Sequence, residues 1–184
     1  MENNTYDISE QLLTIVNVEF RLNAASKSVE TLVDGVILGD VLYDNSYTKD
    51  YYRFHDVFHF AFATILDWSP CVRHLMKLKR KSNPFIDEVE DGARARSLEE
   101  GLSGIIFEEA LKKNFFEKEQ ISDTTLDFIL NTVSRIEVKS KSKEDWKHAI
   151  ELGYEAFRFL VVNQGGNVQF DRTNKTIIYG TGGN

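Results

Sequence analysis

One almost uninterrupted apolar segment constrains this chain more than any other feature. It occupies residues 53–66 and reads RFHDVFHFAFATIL. At helical periodicity its apolar residues cover nearly the whole circumference, which is typical of a helix in the centre of a fold. The segment also carries His55, Asp56 and His59, and charge on a buried group is costly unless a partner compensates it. The sequence therefore predicts a buried helix over about 51–66 whose polar residues need partners elsewhere in the chain.

Length and charge restrict the class of protein. The chain has 184 residues, is 42% hydrophobic and carries a net charge of −7, with a pI near 5.2. We expect one domain over 1–184, no general nucleic-acid binding and no binding to an anionic membrane, because those surfaces need basic faces. Cys71 has no second cysteine to pair with, and the N-terminus lacks the pattern of a signal peptide. A cytoplasmic location follows as an expectation.

Helix boundary signals divide the chain after the apolar segment. Ser69-Pro70 and Asn83-Pro84 each combine an N-cap residue with proline at the first helical position. Ser142, followed by Asp145, resembles a capping box. Together with hydrophobic periodicity, these signals predict four further helices, at about 70–81, 85–113, 122–136 and 142–162.

Strand signals are weaker. Residues 1–34 have little pattern apart from the alternation in VNVEFRLN, and the glycines of VDGVILGDVL only punctuate apolar pieces. Residues 165–184 contain an alternating stretch that predicts a hairpin with a turn near 174–175, followed by a tail. We therefore expect a mainly α fold, a bundle of about five helices with a small β hairpin.

A stripe of carboxylates lies on the predicted helix 85–113. At about 100° per residue, Glu88, Asp91 and Glu99 fall within roughly an 80° sector that leucine and isoleucine continue towards the C-terminus. An inward-facing set of this kind raises its own pKa values unless a cation is present, and oxygen ligands favour Mg²⁺ or Mn²⁺. The alternative is that the first acidic residues only complement the helix dipole.

The two histidines of the buried helix have a spacing of four residues. His55 and His59 therefore share a helix face, which suits imidazole ligation of zinc, iron or manganese, although core histidines are more often satisfied by carboxylates or backbone. Asp56 lies about 100° away from His55. We favour Asp56 as the metal ligand, with the histidines supporting the ligands or transferring protons.

One basic run, KLKRKS at 77–82, stands out on an acidic chain. Lys79, Arg80 and Lys81 are candidates for a clamp on polyphosphate, because Lys and Arg neutralise its charge. A solvated helix end that complements the dipole is the other reading.

Several blocks of the chain resemble a known domain. YRFHDVFH, WSP, KRKS and DEVEDGARA, within a match over roughly 35–179, are similar to the domain that follows the MazG-type pyrophosphohydrolase core in longer bacterial proteins. The resemblance implies an all-α, Mg²⁺-dependent enzyme that converts a nucleoside triphosphate to a monophosphate and pyrophosphate. It would place the metal on Asp56, Glu88, Asp91 and Glu99, with Glu100 or His55 as general base, and it implies a homodimer.

The chain departs from the motif of those enzymes. Arg53 stands three residues before Asp56, where they carry a glutamate, and the E-x-x-D pair formed by Glu88 and Asp91 follows Asp56. A second hypothesis is therefore a non-catalytic, nucleotide-sensing or scaffold subunit that works with an effector enzyme from the same operon, for example in phage defence. A third, an HD-type phosphohydrolase, fits less well because the other histidines lack the required spacing.

Overall fold

A five-stranded antiparallel sheet is built from the strands at the two ends of the described chain. The computed structural model describes residues 6–180. The strands follow one another across the sheet in the order β3-β2-β1-β4-β5, which joins an N-terminal meander to a C-terminal hairpin. Their bounds are β1 Ile15–Asn23, β2 Ser28–Val33, β3 Val36–Leu42, β4 Gly165–Asp171 and β5 Thr176–Gly180.

The described residues also form six α-helices, and all of them lie between β3 and β4 in the chain. They are α1 Asp56–Ile65, α2 Pro70–Leu75, α3 Pro84–Val89, α4 Ala93–Lys112, α5 Asp123–Thr132 and α6 Lys143–Asn163. The predicted capping box of α6 is present, because Ser142 and Asp145 exchange side-chain and backbone hydrogen bonds. Each predicted helix has a counterpart, although α1 starts late, α2 ends early and the helix predicted over 85–113 is divided into α3 and α4.

The expected fold class is wrong. The structure is 49% helical and 19% strand, and its strands form a single sheet rather than a small hairpin beside a bundle. In β1 the predicted alternation is confirmed, since Val16, Val18 and Phe20 are buried while the residues between them are not. The prediction missed the strands β2 and β3, which lie on either side of Asp34 and Gly35. These two residues have positive φ and form the tight turn between the strands, a turn type that strand twist favours.

The apolar segment does form the centre of the fold. Every residue of α1 is buried, and the helix packs on α6 and on the C-terminal hairpin. The Phe60 ring stacks on Phe170 of β4 with centroids 5.2 Å apart, while Phe58 packs on Tyr154 and Phe157 of α6. The helix starts later than expected, at Asp56, after a 3₁₀ turn over Tyr52–Phe54.

A break divides the single helix predicted over 85–113. Helix α3 ends at Val89, and α4 begins after its N-cap Gly92. A Cβ at Gly92 would clash with the Glu88 carbonyl oxygen, so the chain can turn this closely only at a residue without a side chain. Carboxylates before and after the break therefore do not share one helix face.

The expectations for membrane spans and for the C-terminal segment are tested over the described residues only. No helix within residues 6–180 is long and apolar enough to cross a membrane. The hairpin predicted near the C-terminus is confirmed as β4 and β5, and the tail expected after it lies at 181–184, outside the described residues. The division of the chain into one domain stays a prediction.

Candidate functional site

The start of α1 opens on a cleft of about 530 Å³. His55, Asp56 and Glu100 lie at its base and are called the cleft floor here. His55 Nε2 is 3.8 Å from Asp56 Oδ1 and 4.0 Å from Glu100 Oε2. His59, one turn further along α1, is buried behind the floor, with its Nε2 3.3 Å from the same Glu100 oxygen. The structure thus brings two predicted catalytic residues, one predicted ligand and one supporting histidine together.

Hydrogen bonds fix the orientation of both imidazoles. His55 Nδ1 lies 3.0 Å from the Tyr52 carbonyl oxygen, and since a carbonyl only accepts, Nδ1 carries the proton. His59 Nδ1 lies 2.9 Å from Glu99 Oε1, and an ionised carboxylate likewise only accepts. Both Nε2 atoms therefore face the Glu100 carboxylate.

Glu99 and Asp56 are held by residues outside the helix that carries each of them. Glu99 is fully buried, and its second oxygen accepts a hydrogen bond of 2.8 Å from the Cys71 backbone N–H. Asp56 Oδ2 accepts one of 2.7 Å from Thr31 Oγ1 of β2. Glu99 accordingly supports His59 from behind, whereas Asp56 leaves Oδ1 on the side of the cleft. Thr31 was missed because nothing in the local sequence marks a strand residue 25 positions away.

The electrostatics separate these groups. Burial by itself raises the pKa of Glu100, but His59 and His55 outweigh it and lower the pKa to about 2, so this carboxylate stays ionised. Burial lowers the pKa of His55. Burial also opposes the charged form of His59, yet Cys71, Glu99 and Glu100 raise its pKa well above the ordinary value. Burial raises the pKa of the Cys71 thiol to about 12, which agrees with a core residue rather than a nucleophile.

Lysines line the other wall of the cleft. The lysine rim consists of Lys77, Lys79 and Lys81, and His74 stands beside it. The predicted helix 70–81 is shorter than expected, because α2 ends at Leu75 and the basic run continues without helical structure. Alternate residues of this stretch therefore face one way, which puts three lysines at the cleft. Lys77 and His74 were missed as site residues, although the dense basic run was the signal for them.

Arg80 faces in the opposite direction and is buried. Its guanidinium pairs with Asp91, with Nη2 2.6 Å from Oδ1, and with Glu137, with Nη1 2.9 Å from Oε2. Asp91 also accepts a hydrogen bond from the Arg80 backbone N–H at 2.7 Å. We call Arg80, Asp91 and Glu137 the Arg80 cluster. In this cluster Arg80, a predicted phosphate-binding residue, pairs with Asp91, a predicted metal ligand.

The four carboxylates predicted to share a metal are consequently not assembled. Within residues 6–180, two groups of three potential ligands have their atoms within 4.8 Å of one another: His55, His59 and Glu100, and His59, Cys71 and Glu99. Glu88 is exposed on α3, against the expectation that it faces inward. Arg53, which stands where the resemblance would place a glutamate, pairs with Asp44 at 2.8 Å and anchors the segment before α1.

A second hollow of about 560 Å³ lies next to the floor. Tyr52 lines it, and the Tyr52 ring stacks on His55 with centroids 4.3 Å apart. Tyr47 and Gly101 also line this hollow, and Tyr47 is fully exposed. Trp68, by contrast, is fully buried in the core and cannot stack on a ligand.

Comparison with known proteins adds one finding. The family model for the MazG C-terminal domain matches residues 2–182. No curated protein and no solved structure matches the chain. The resemblance to the domain that accompanies MazG-type pyrophosphohydrolases is thereby confirmed, while the all-α architecture expected from it is wrong. The chain belongs to the MazG C-terminal domain family.

Proposed function

We propose that the chain is a nucleoside triphosphate pyrophosphohydrolase that works in the cleft and depends on a divalent cation. It would convert an NTP or dNTP to the monophosphate and pyrophosphate. The observation that carries the proposal is the pairing of a lysine rim with an imidazole–carboxylate floor around one 530 Å³ space. The family relation supports it, because the domain accompanies enzymes of this activity.

The lysine rim supplies the phosphate-binding charge. Three lysines line one wall, and an ammonium is a compact donor that neutralises a phosphate oxygen as a point charge. Lys79 is paired with Asp87 at 2.6 Å, so Lys77 and Lys81 are the two rim lysines with the larger share of free charge. We assign the β and γ phosphates to this wall.

The cleft floor would activate water. Attack on the α phosphorus forms a new P–O bond and breaks the bond to the α–β bridging oxygen, and pyrophosphate leaves with the electron pair. Glu100 can accept the proton of the water, because its carboxylate stays ionised, lines the cleft and has two oxygens, so that one can accept a proton while the other binds an ion. Tyr52 and Tyr47 could stack the base in the adjoining hollow.

Of the two expected cofactors, Mn²⁺ fits the floor better than Mg²⁺. Imidazole nitrogens are good ligands for manganese, whereas Mg²⁺ prefers oxygen ligands only. When bound, such an ion neutralises phosphate charge and lowers the pKa of water. His55 and Glu100 are the floor residues that would hold it, with Asp56 as a further oxygen ligand.

Pyrophosphate release tests the proposal. Pure protein is incubated with each NTP and dNTP and with Mg²⁺ or Mn²⁺, and the wild type is compared with Glu100→Gln and Glu88→Gln. We expect turnover of at least one nucleotide, loss of about 100-fold in Glu100→Gln, and near-normal turnover in Glu88→Gln. Turnover that survives Glu100→Gln but not Glu88→Gln would favour the carboxylate stripe over the cleft. No release from any nucleotide would reject the proposal.

A non-catalytic nucleotide sensor is the second candidate. One observation favours it: Glu88 and Asp91, the E-x-x-D pair of this chain, do not line the cleft. Asp91 is paired with Arg80, and Glu88 is exposed on α3. In that case nucleotides bind, as measured by calorimetry, and no pyrophosphate appears. A homodimer and a partner from the same operon stay predictions, to be tested by sedimentation and co-purification.

A further inference from the structure

We infer that His55, His59 and Glu100 form a site for a divalent transition-metal ion of the Mn²⁺, Fe²⁺, Co²⁺ or Zn²⁺ type, and that this site discriminates against Mg²⁺. The binding site itself does not depend on hydrolysis. Only the catalytic use of the ion rests on the proposed function.

The spacing of the donor atoms is the first argument. The three ligand atoms lie within 4.8 Å of one another, with 3.3 Å between His59 Nε2 and Glu100 Oε2 and 4.0 Å between His55 Nε2 and the same oxygen. Two atoms bound about 2.1 Å from one tetrahedral ion lie roughly 3.4 Å apart. The His59–Glu100 pair already has this spacing, and His55 would have to move closer for all three to bind one ion.

The orientation of the imidazoles is the second argument. Each Nδ1 contacts an acceptor, the Tyr52 carbonyl for His55 and the Glu99 carboxylate for His59. This is the arrangement that supports metal-ligating histidines in general, because the contact at Nδ1 fixes the ring and directs Nε2 at the ion. Without metal, His59 Nε2 carries a proton, and a bound ion would displace it. Neither ring shares its Nδ1 acceptor with the other, so both orientations are set independently.

An unsatisfied atom is the third argument. His59 is 1% exposed, and its Nε2 is buried without a hydrogen-bond partner within residues 6–180, although the Glu100 carboxylate lies at ion-pair distance. Buried polar atoms are nearly always hydrogen-bonded, so an orphaned nitrogen aimed at a carboxylate and a second imidazole needs an explanation. An ion between these groups provides one.

The donor types select the ion. Two imidazoles with a carboxylate suit first-row transition-metal ions, with affinity rising from Mn²⁺ to Co²⁺, whereas Mg²⁺ keeps oxygen ligands and most of its water. Asp56 Oδ1 lies 3.8 Å from His55 Nε2 and can serve as a further oxygen ligand. The open side towards the cleft leaves positions for water or phosphate. The other group, His59, Cys71 and Glu99, is wholly buried, and its Glu99 oxygens are already hydrogen-bonded.

Metal binding to chelator-treated protein tests the inference. The protein is titrated with Mn²⁺, Co²⁺, Zn²⁺ and Mg²⁺ separately, and affinity is measured by calorimetry and stoichiometry by mass spectrometry of the dialysed complex. We expect one equivalent of each transition ion, at least 100-fold weaker Mg²⁺ binding, and a visible Co²⁺ absorption band that reports nitrogen ligands.

Variants assign the ligands. His55→Gln and Glu100→Gln should weaken Co²⁺ binding at least tenfold each, and both positions border the cleft, so folding is retained. Circular dichroism checks this. Glu144→Gln, at an exposed glutamate of α6, is the matched control and should bind as the wild type does. Folded protein that binds none of the three ions, binds Mg²⁺ as tightly, or binds Co²⁺ equally in both variants would overturn the inference.

The outcomes for the metal and for hydrolysis are separable. Stoichiometric metal without pyrophosphate release rejects the proposed function and leaves the site intact. Pyrophosphate release that needs Mg²⁺ alone, with no transition ion retained, rejects the site and leaves the function intact.

Discussion

The Arg80 cluster and the cleft floor are two groups of charges in the same fold, and they differ in how fully their polar atoms are satisfied. Arg80 contacts both carboxylates at 2.6–3.1 Å. At the floor the atoms face each other at 3.8–4.0 Å, and behind it His59 Nε2 has no hydrogen bond within the described residues. Groups that satisfy each other contribute to stability, whereas groups that converge without pairing are available to a ligand.

Arg80→Met should have the largest effect on stability. It removes the cation that pairs with Asp91 and Glu137, and breaking one side of a buried ion pair costs about 3–5 kcal/mol. The free energy of unfolding in urea measures the loss. Lys79→Met is the control, because its pair with Asp87 is partly exposed and should cost under about 1 kcal/mol. Equal losses in the two variants would show that Arg80 is not a structural residue.

Glu99→Gln should lower stability by an intermediate amount and should also weaken Co²⁺ binding. Its carboxylate accepts from His59 Nδ1 and from the Cys71 backbone N–H in a fully buried position. The amide keeps one acceptor, so we expect about 1–3 kcal/mol of lost stability. Co²⁺ affinity should fall roughly 10- to 100-fold because the tautomer of His59 is no longer fixed. Lost stability with unchanged Co²⁺ affinity would make Glu99 purely structural.

The sequence predicted the helices because their signals are local. The proline at the start of α2, the cap at Ser122 and the box at Ser142 each act within one turn. The Asp34-Gly35 turn was also a readable hairpin signal, so β2 and β3 were within reach. The pairing of β1 with β4 was not, since about 150 residues separate the strands and no local rule connects them.

The candidate site was predicted in part for a similar reason. The spacing of His55 and His59 and the basic run are local, and both lead to the cleft. The carboxylates of the predicted stripe do not lie on one helix face, because helical periodicity holds only along an unbroken helix and the chain breaks at Gly92, between Glu88 and Glu99. Nor could spacing show that Asp91 is matched by Arg80, because the two meet through a turn rather than along a helix.

Removing charge from the lysine rim should weaken ligand binding without lowering stability, the opposite of what we expect for the Arg80 cluster. Lys77→Met with Lys81→Met should leave stability within about 0.5 kcal/mol, since both side chains are exposed. Affinity for tripolyphosphate should fall about tenfold at low salt and less at high salt, where the charges are screened. Calorimetry at two salt concentrations measures this. Lys143→Met, at a partly exposed lysine paired with Asp127, should leave the affinity unchanged. A rim that can be neutralised without loss of affinity does not bind phosphate.

The smallest effect concerns Glu109, a satisfied carboxylate nearer the surface. It accepts from the Ser122 backbone N–H, from Thr125 and from Lys113, and so holds the start of α5. Burial raises the pKa of Glu109, but these donors outweigh it, and the folded pKa lies below the ordinary 4.5. The carboxylate therefore stabilises the fold fully above pH 4.5, and this contribution is lost as the pH falls through the folded pKa.

Glu109→Gln should accordingly cost about 1 kcal/mol at pH 7, the usual effect of losing a helix cap. The difference from the wild type should shrink as the pH falls below 4.5, since both proteins then carry an uncharged group at this position. Urea unfolding at several pH values measures it, and Glu108→Gln, at the exposed neighbouring glutamate, should show no such dependence. A difference that stays constant down to low pH would mean that shape rather than charge secures α5, and would confine the rule drawn from the Arg80 cluster to fully buried pairs.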